Sequence, residues 1–228
     1  MTTNSLLHGI VQAVKPAALV ITGKKNELRV FGTSTVDMYL SVNRSGISST
    51  LDTTVEVRTN EFTRILKECR LFSDIEFNRN ESVARTFIEQ EGCRLQLECA
   101  TREVEEIVPP AVTAEIIVDL DTKLMKEITT KDSHSAEVLL NGKTVEIKVN
   151  GPIKAEATQK TANYIKKKDK KHAFIIPAEG FTVVSRVCKL EPTRILMGVV
   201  KSVSIFYIYF KDITVICYVA GTLLQIND

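Results

Sequence analysis

Four short stretches of this chain repeat one design, an apolar stripe at helical spacing with Lys, Arg or His on the opposite face. They cover residues 6–15, 60–70, 121–129 and 179–189. In the first, Leu7, Ile10, Val11 and Val14 form the stripe, and His8, Gln12 and Lys15 fall opposite. In the second, Phe62, Ile65, Leu66 and Cys69 oppose Asn60, Arg64 and Lys67. In the third, Leu120, Leu124, Met125 and Ile128 oppose Lys123 and Lys126. In the fourth, Phe181, Val184, Val187 and Cys188 oppose Thr182, Arg186 and Lys189. Residues three and four apart share a helix face, so these spacings set the basic groups in rows. Short basic helices beside a large sheet predict a surface that slides over phosphates rather than a pocket that does chemistry.

Almost everything between these helices reads as strand. Alternation and turn residues predict strands at 19–22, 27–31, 38–43 and 53–58 before the second helix, and at 74–78, 84–89 and 94–100 after it. Residues 101–113, TREVEEIVPPAVT, then change character. They are acidic and then carry Pro-Pro, which cannot sit inside a helix or a central strand, so they read as an interdomain connector. Past it the order recurs: a strand at 114–118, the third helix, strands at 136–140, 144–150 and 153–157, the fourth helix, and strands at 194–198, 202–210 and 214–220. A period of roughly 110 residues implies two similar domains. The expected organisation is α+β, with domains at 1–100 and 114–228 joined by 101–113.

Composition narrows the class. The chain of 228 residues is 44% hydrophobic and 25% charged, enough apolar content for a real core. Its 30 Lys and Arg against 28 Asp and Glu leave +2, so the distribution of charge matters more than its sum. None of the five cysteines has CxxC spacing and no histidines cluster beside them, which argues against zinc and for reduced core thiols. The first fifteen residues lack a secretory signal pattern. The greasiest stretch, 195–210, is interrupted by Lys201 and is shorter than a membrane span, so it reads as buried strands. A charge run at 166–171, within IKKKDKK, reads as a solvated loop or an auxiliary phosphate contact. There is no GxxxxGK[ST], GxSxG or HExxH, so no enzyme, metal site or cofactor is expected. The cluster Glu103, Glu105 and Glu106 reads as keeping the connector solvated.

Three pieces carry a family resemblance: VEEIVPP at 104–110, NEFTRILKEC at 60–69 and TVICYVAG at 214–221. With the repeat and its paired helices, they resemble the sliding DNA clamps of the proliferating cell nuclear antigen (PCNA) type: the connector, the second helix, and the last strand with the start of the tail. The resemblance implies a ring of three subunits around double-stranded DNA. It also implies partner peptides from DNA polymerase and other replication and repair proteins, a separate ATP-dependent loader, and a place inside the cell at replicating DNA. Matching positions for DNA are His8, Lys15, Arg64, Lys67, Lys123, Lys126, Arg186 and Lys189. For a partner-peptide pocket they are Phe31, Thr35, Met38, Ile107, Pro109, Tyr218, Val219 and Ala220, with the tail 223–228 nearby. For subunit contacts they lie on edges at 93–100 and 152–158: Cys93, Leu95, Leu97, Cys99, Ile153, Ala155 and Ala157. The slightly basic balance, the basic loop and the short connector depart from the family pattern, and imply a divergent, virus- or phage-encoded clamp. A subunit of a heteromeric checkpoint clamp, a non-ring viral processivity factor and a transcription cofactor share these features. A β-rich ligand-binding protein would use the basic rows for solubility alone.

Overall fold

A computed structural model describes residues 3–24, 27–43, 51–69, 74–90, 93–128, 134–141, 143–152, 155–160, 162–166, 172–200 and 202–225. The chain divides into two units, Met1–Ser34 with Met38–Pro109 and Thr35–Asp37 with Pro110–Asp228. Both combine helices with antiparallel sheet, so the architecture is α+β as expected.

The first unit opens with helix α1 (Thr3–Val14), followed by strands β1 (Ala18–Lys24), β2 (Glu27–Thr33), β3 (Asp37–Asn43) and β4 (Thr54–Arg58). Helix α2 (Thr59–Glu68) and strands β5 (Glu76–Asn78), β6 (Val83–Gln90) and β7 (Cys93–Glu103) complete it. The strands lie in the order β3-β2-β1-β4-β7-β6-β5. β7 is shared along its length. Its residues 93–100 pair with β6, and its last three, Thr101 to Glu103, pair with β4. Residues 101–103 are therefore strand and not connector, because Thr101, Arg102 and Glu103 complete the ladder on Val55–Val57.

α1 buries Leu7, Ile10, Val11 and Val14, the stripe the spacing predicts. It stops at Lys15, whose φ of 53° leaves the helical region just before Pro16. The Lys15 N–H still reaches Val11 O at 2.8 Å. A left-handed non-glycine residue before proline is a costly arrangement. Pro16, which has no N–H and is barred from the next helical turn, fixes the stop there. α2 buries Phe62, Ile65 and Leu66, with Glu61 placed in its first turn where the helix dipole favours an anion.

The second unit begins with β8 (Ile116–Leu120) and helix α3 (Thr122–Glu127), followed by β9 (Ser135–Asn141), β10 (Thr144–Asn150), β11 (Ala155–Gln159), β12 (Asn163–Lys166) and β13 (His172–Pro177). Helix α4 (Ala178–Cys188) leads to β14 (Arg194–Val200), β15 (Val203–Tyr209), β16 (Ile213–Ala220) and β17 (Thr222–Gln225). These strands form two ladders, β12-β8-β14-β15-β16 and β11-β10-β9-β13-β17. β12 and β13 replace what the sequence reading took for loop before the fourth helix. Near-continuous burial, with His172, Ala173, Phe174 and Ile176 inside, and pairing with β9 secure β13. β17 takes part of the expected tail into a ladder with β13.

With six residues, α3 is far too short to hold together alone. Tertiary packing supplies what is missing. Leu124 and Met125 are buried, each contributing on the order of 1.5–3 kcal/mol. The Asp121 carboxylate caps the N-terminus by accepting the Lys123 N–H at 2.8 Å. α4 sits on the sheet through Phe181, which meets Phe206 edge-on at 6.3 Å. Its closeness depends on Gly180, where an added Cβ would lie 2.4 Å from Val219 Cγ1.

Candidate nucleic-acid interface

Each unit pairs its two helices with a buried polar tie. In the first, Asn4 of α1 donates to Cys69 O, at the end of α2, over 3.4 Å. In the second, Ser185 Oγ of α4 lies 3.4 Å from Met125 O and 3.3 Å from Ile128 O, at the end of α3. The last carbonyls of a helix have no partner within it, so a buried helix end needs such a donor.

Packing one face of each helix leaves the other to solvent, and the cations lie there. Arg64 and Lys67 are exposed on α2, and Lys123 on α3. Arg186 is exposed on α4, and Lys189, its C-cap, follows in the same exposed state. Lys126 on α3 is half-buried and pairs with Glu191 at 3.5 Å. Among the described residues Arg64, Lys67, Lys123, Arg186 and Lys189 form no ion pair. The pairs 64/67, 123/126 and 186/189 share one spacing of three residues, which puts two cations on one helix face. Like charges at this spacing cost a helix a few tenths of a kcal/mol each, so the arrangement does not serve helix stability. It offers a row of long cationic arms, able to meet phosphates without reading bases.

α1 departs from this pattern. Between Thr3 and Val14 it carries no Lys or Arg, and His8 is half-buried. Lys15 is exposed, but one residue beyond the helix.

Solved structures of other proteins share this architecture, two of them at similar strength. The proliferating cell nuclear antigen of Entamoeba histolytica aligns over 96% of this chain and 96% of its own, with a TM-score of 0.75 at 12% identity. A PCNA2–PCNA3 complex from Sulfolobus tokodaii aligns over 96% of both chains, with a TM-score of 0.73 at 11% identity. The chain has the sliding-clamp fold of the PCNA type. No protein-family model and no curated protein matches the sequence.

On this clamp fold the other expected residues divide by burial. For the peptide pocket, Ile107, Thr35 and Ala220 are exposed, and Phe31, Pro109 and Tyr218 are half-buried. Met38 and Val219 are sealed in the core, where strand alternation turns them inward, so neither can line an open pocket. Phe31 packs against Tyr39 with ring centroids 4.8 Å apart and planes tilted by 47°, a partner that the sequence reading does not name.

The connector is more anchored than its composition implies. Glu106 meets Lys24 Nζ at 2.8 Å and Arg29 at 3.0 Å, and Lys24, with Arg29 beside it, holds this carboxyl below its usual range. Glu106 is therefore a tether and not merely a solvating charge. Past it, Ile107 and Val108 are exposed, and the Tyr218 hydroxyl donates to Pro110 O at 3.3 Å.

Among the described residues, the expected contact edges have no strand on one side. β11 ends its ladder, paired on one side by β10 alone. Residues 93–100 of β7 are paired on one side by β6 alone. Cys93 and Leu95 are exposed, and Leu97, Ala155 and Ala157 are half-buried. Cys99 is buried, opposite the equally buried Ala84, so it belongs to the core and not to an interface. Ile153, residues 167–171 of the basic loop and residues 226–228 of the tail lie outside the described residues.

Proposed function

We propose that this chain is a DNA sliding clamp, a processivity factor whose copies close head to tail into a homotrimer around double-stranded DNA and tether DNA polymerase and other replication and repair proteins. The observation that carries the reading is the set of exposed, unpaired cations on α2, α3 and α4, in a chain with the clamp fold. Such a lining holds the phosphate backbone through loose, exchangeable contacts, while the closed ring supplies retention. His8 and Lys15 take a lesser share of the DNA surface than the other six positions, since α1 has no cation of its own. Loading falls to a separate ATP-driven protein, because this chain has no phosphate-binding loop. Phe31, Ile107, Pro109, Tyr218 and Ala220 serve partner peptides.

The test is charge reversal. The double variant Arg64→Glu with Lys67→Glu should abolish DNA-dependent stimulation of a polymerase while leaving the circular dichroism spectrum unchanged. Full stimulation by a folded double variant would remove DNA from the function of α2.

A second reading, one subunit of a heteromeric clamp, is supported by the likeness to a complex named for two different clamp chains. Light scattering on the chain alone separates the two. The homotrimer predicts about 76 kDa, three times 25.4 kDa. A mass of one chain at every concentration favours the heteromer.

A further inference from the structure

The hairpin turn between β5 and β6, residues 79–82, ends on Ser82, whose φ of 53° lies in the left-handed region. Glycine and asparagine suit that region better than serine does. The backbone is held on both sides. Ser82 N–H donates to Arg79 O at 3.3 Å, and Thr101 N–H donates to Ser82 O at 2.8 Å. Asn78 Oδ1 braces the start of the turn by accepting the N–H groups of Asn80 at 3.1 Å and Glu81 at 3.2 Å. Ser82 is exposed, and among the described residues its hydroxyl holds no hydrogen bond. A strained serine whose hydroxyl the fold does not use points to a role outside the fold.

The surroundings say which role. Arg79 and Arg85 stand three residues before and three after Ser82. Ser82 shares a cleft of about 60 Å³ with Arg79, Glu103, Thr53 and Asp52. Arg79 grips both Glu103 oxygens there, donating at 3.2 Å from Nε and at 2.7 Å from a terminal nitrogen, so its guanidinium is already set for a multi-oxygen acid. Both partners are exposed, and an exposed pair contributes little, so a stronger anion can take the guanidinium over. Arg85 is engaged differently, between Glu76 and Glu81. Among the described residues β5 ends its ladder and is only three residues long, so the hairpin can peel away and present its turn to another protein.

We propose that Ser82 is a phosphorylation site for a serine kinase that selects arginine three residues upstream, and that the phosphate takes Arg79 from Glu103. In the modification Ser82 Oγ bonds to the γ-phosphorus of a nucleoside triphosphate, and the bond from that phosphorus to the β–γ bridging oxygen breaks. The nucleoside diphosphate leaves, and the hydroxyl proton passes to the kinase. The product carries about two negative charges and three acceptor oxygens, and so outcompetes a carboxylate for the guanidinium. Asp52, Glu81 and the displaced Glu103 repel it, so the grip of Arg79 decides where the phosphate sits. Glu103 is the last residue of β7 and accepts the Thr53 hydroxyl at 3.0 Å, so the exchange loosens the start of the connector. The inference goes beyond the clamp reading and does not depend on it.

The first experiment incubates the native chain with ATP and a kinase of the arginine-directed class, the catalytic subunit of a cyclic-AMP-dependent kinase, and locates phosphate by mass spectrometry. Phosphate at Ser82 is expected, with labelling slower by about tenfold or more in a folded Arg79→Gln variant. A native chain that takes no phosphate at Ser82 overturns the site. The second experiment places phosphoserine at 82 during synthesis and follows its second ionisation by phosphorus NMR. A cation beside the phosphate favours the dianion, so Arg79→Gln should raise the midpoint by about half a pH unit. Equal midpoints would mean that Arg79 stays on Glu103, and would overturn the exchange.

Discussion

In the first unit the leading helix holds the trailing one, through Asn4 and the carbonyl of Cys69. In the second the trailing helix holds the leading one, through Ser185 and the carbonyls of Met125 and Ile128. The donor changes side, residue type and number of acceptors, yet each tie ends on the last turn of the shorter helix. The shared requirement is physical: a short helix whose C-terminal carbonyls are buried must find donors outside itself. Any buried polar side chain with the right reach can supply them, so a duplicated architecture keeps the tie without keeping the residue. The units also differ at their margins. Both thiols of the second, Cys188 and Cys217, are buried, whereas the first leaves Cys93 exposed at the start of its open strand.

The strongest test of this comparison removes each tie. Asn4→Ala leaves Cys69 O without this donor and opens a void, and should cost about 2 kcal/mol in urea denaturation. Ser185→Ala removes less volume and one hydroxyl, and should cost about 1 kcal/mol. A Ser185→Ala variant as stable as wild type would reduce the second tie to simple proximity.

Thiol labelling probes the margins with a smaller effect. Burial pushes Cys99 and Cys217 up to about 12, and raises Cys69 and Cys188 as well, so at pH 8 these four remain protonated and unreactive in the folded chain. One thiol per chain, Cys93, should react quickly in dilute protein, and more slowly at concentrations where copies assemble. Equally fast labelling of Cys188 would show that the second unit is not sealed.

The helices were legible because their stripes have to face a core: the buried residues of α1, α2 and α4 include the apolar positions that the spacing selects. What periodicity does not reveal is how far along a strand its cover extends. Cys93, Leu95, Leu97 and Cys99 alternate identically in sequence, yet burial runs from open to closed along them because α2 covers only one end. Met38 and Val219 enter the pocket set only through the resemblance, which matches positions along the chain without saying which strand face turns inward. β13 leaves no separate signal because HAFIIP runs straight into the fourth helix, with Pro177 both its last residue and the helix N-cap. Gln159 left no signal at all. Its amide accepts the Asp121 N–H, from a backbone 38 residues earlier in the chain, and nothing local marks it.

The two open edges also make abundance a matter of structure. Among the described residues, one side of β11 and of residues 93–100 of β7 has no strand neighbour, and an extended peptide could add to either edge. On the ring reading proposed above, a scarce chain spends longer with both edges bare. On that reading, slower synthesis would turn a change of dosage into a problem of protein quality control.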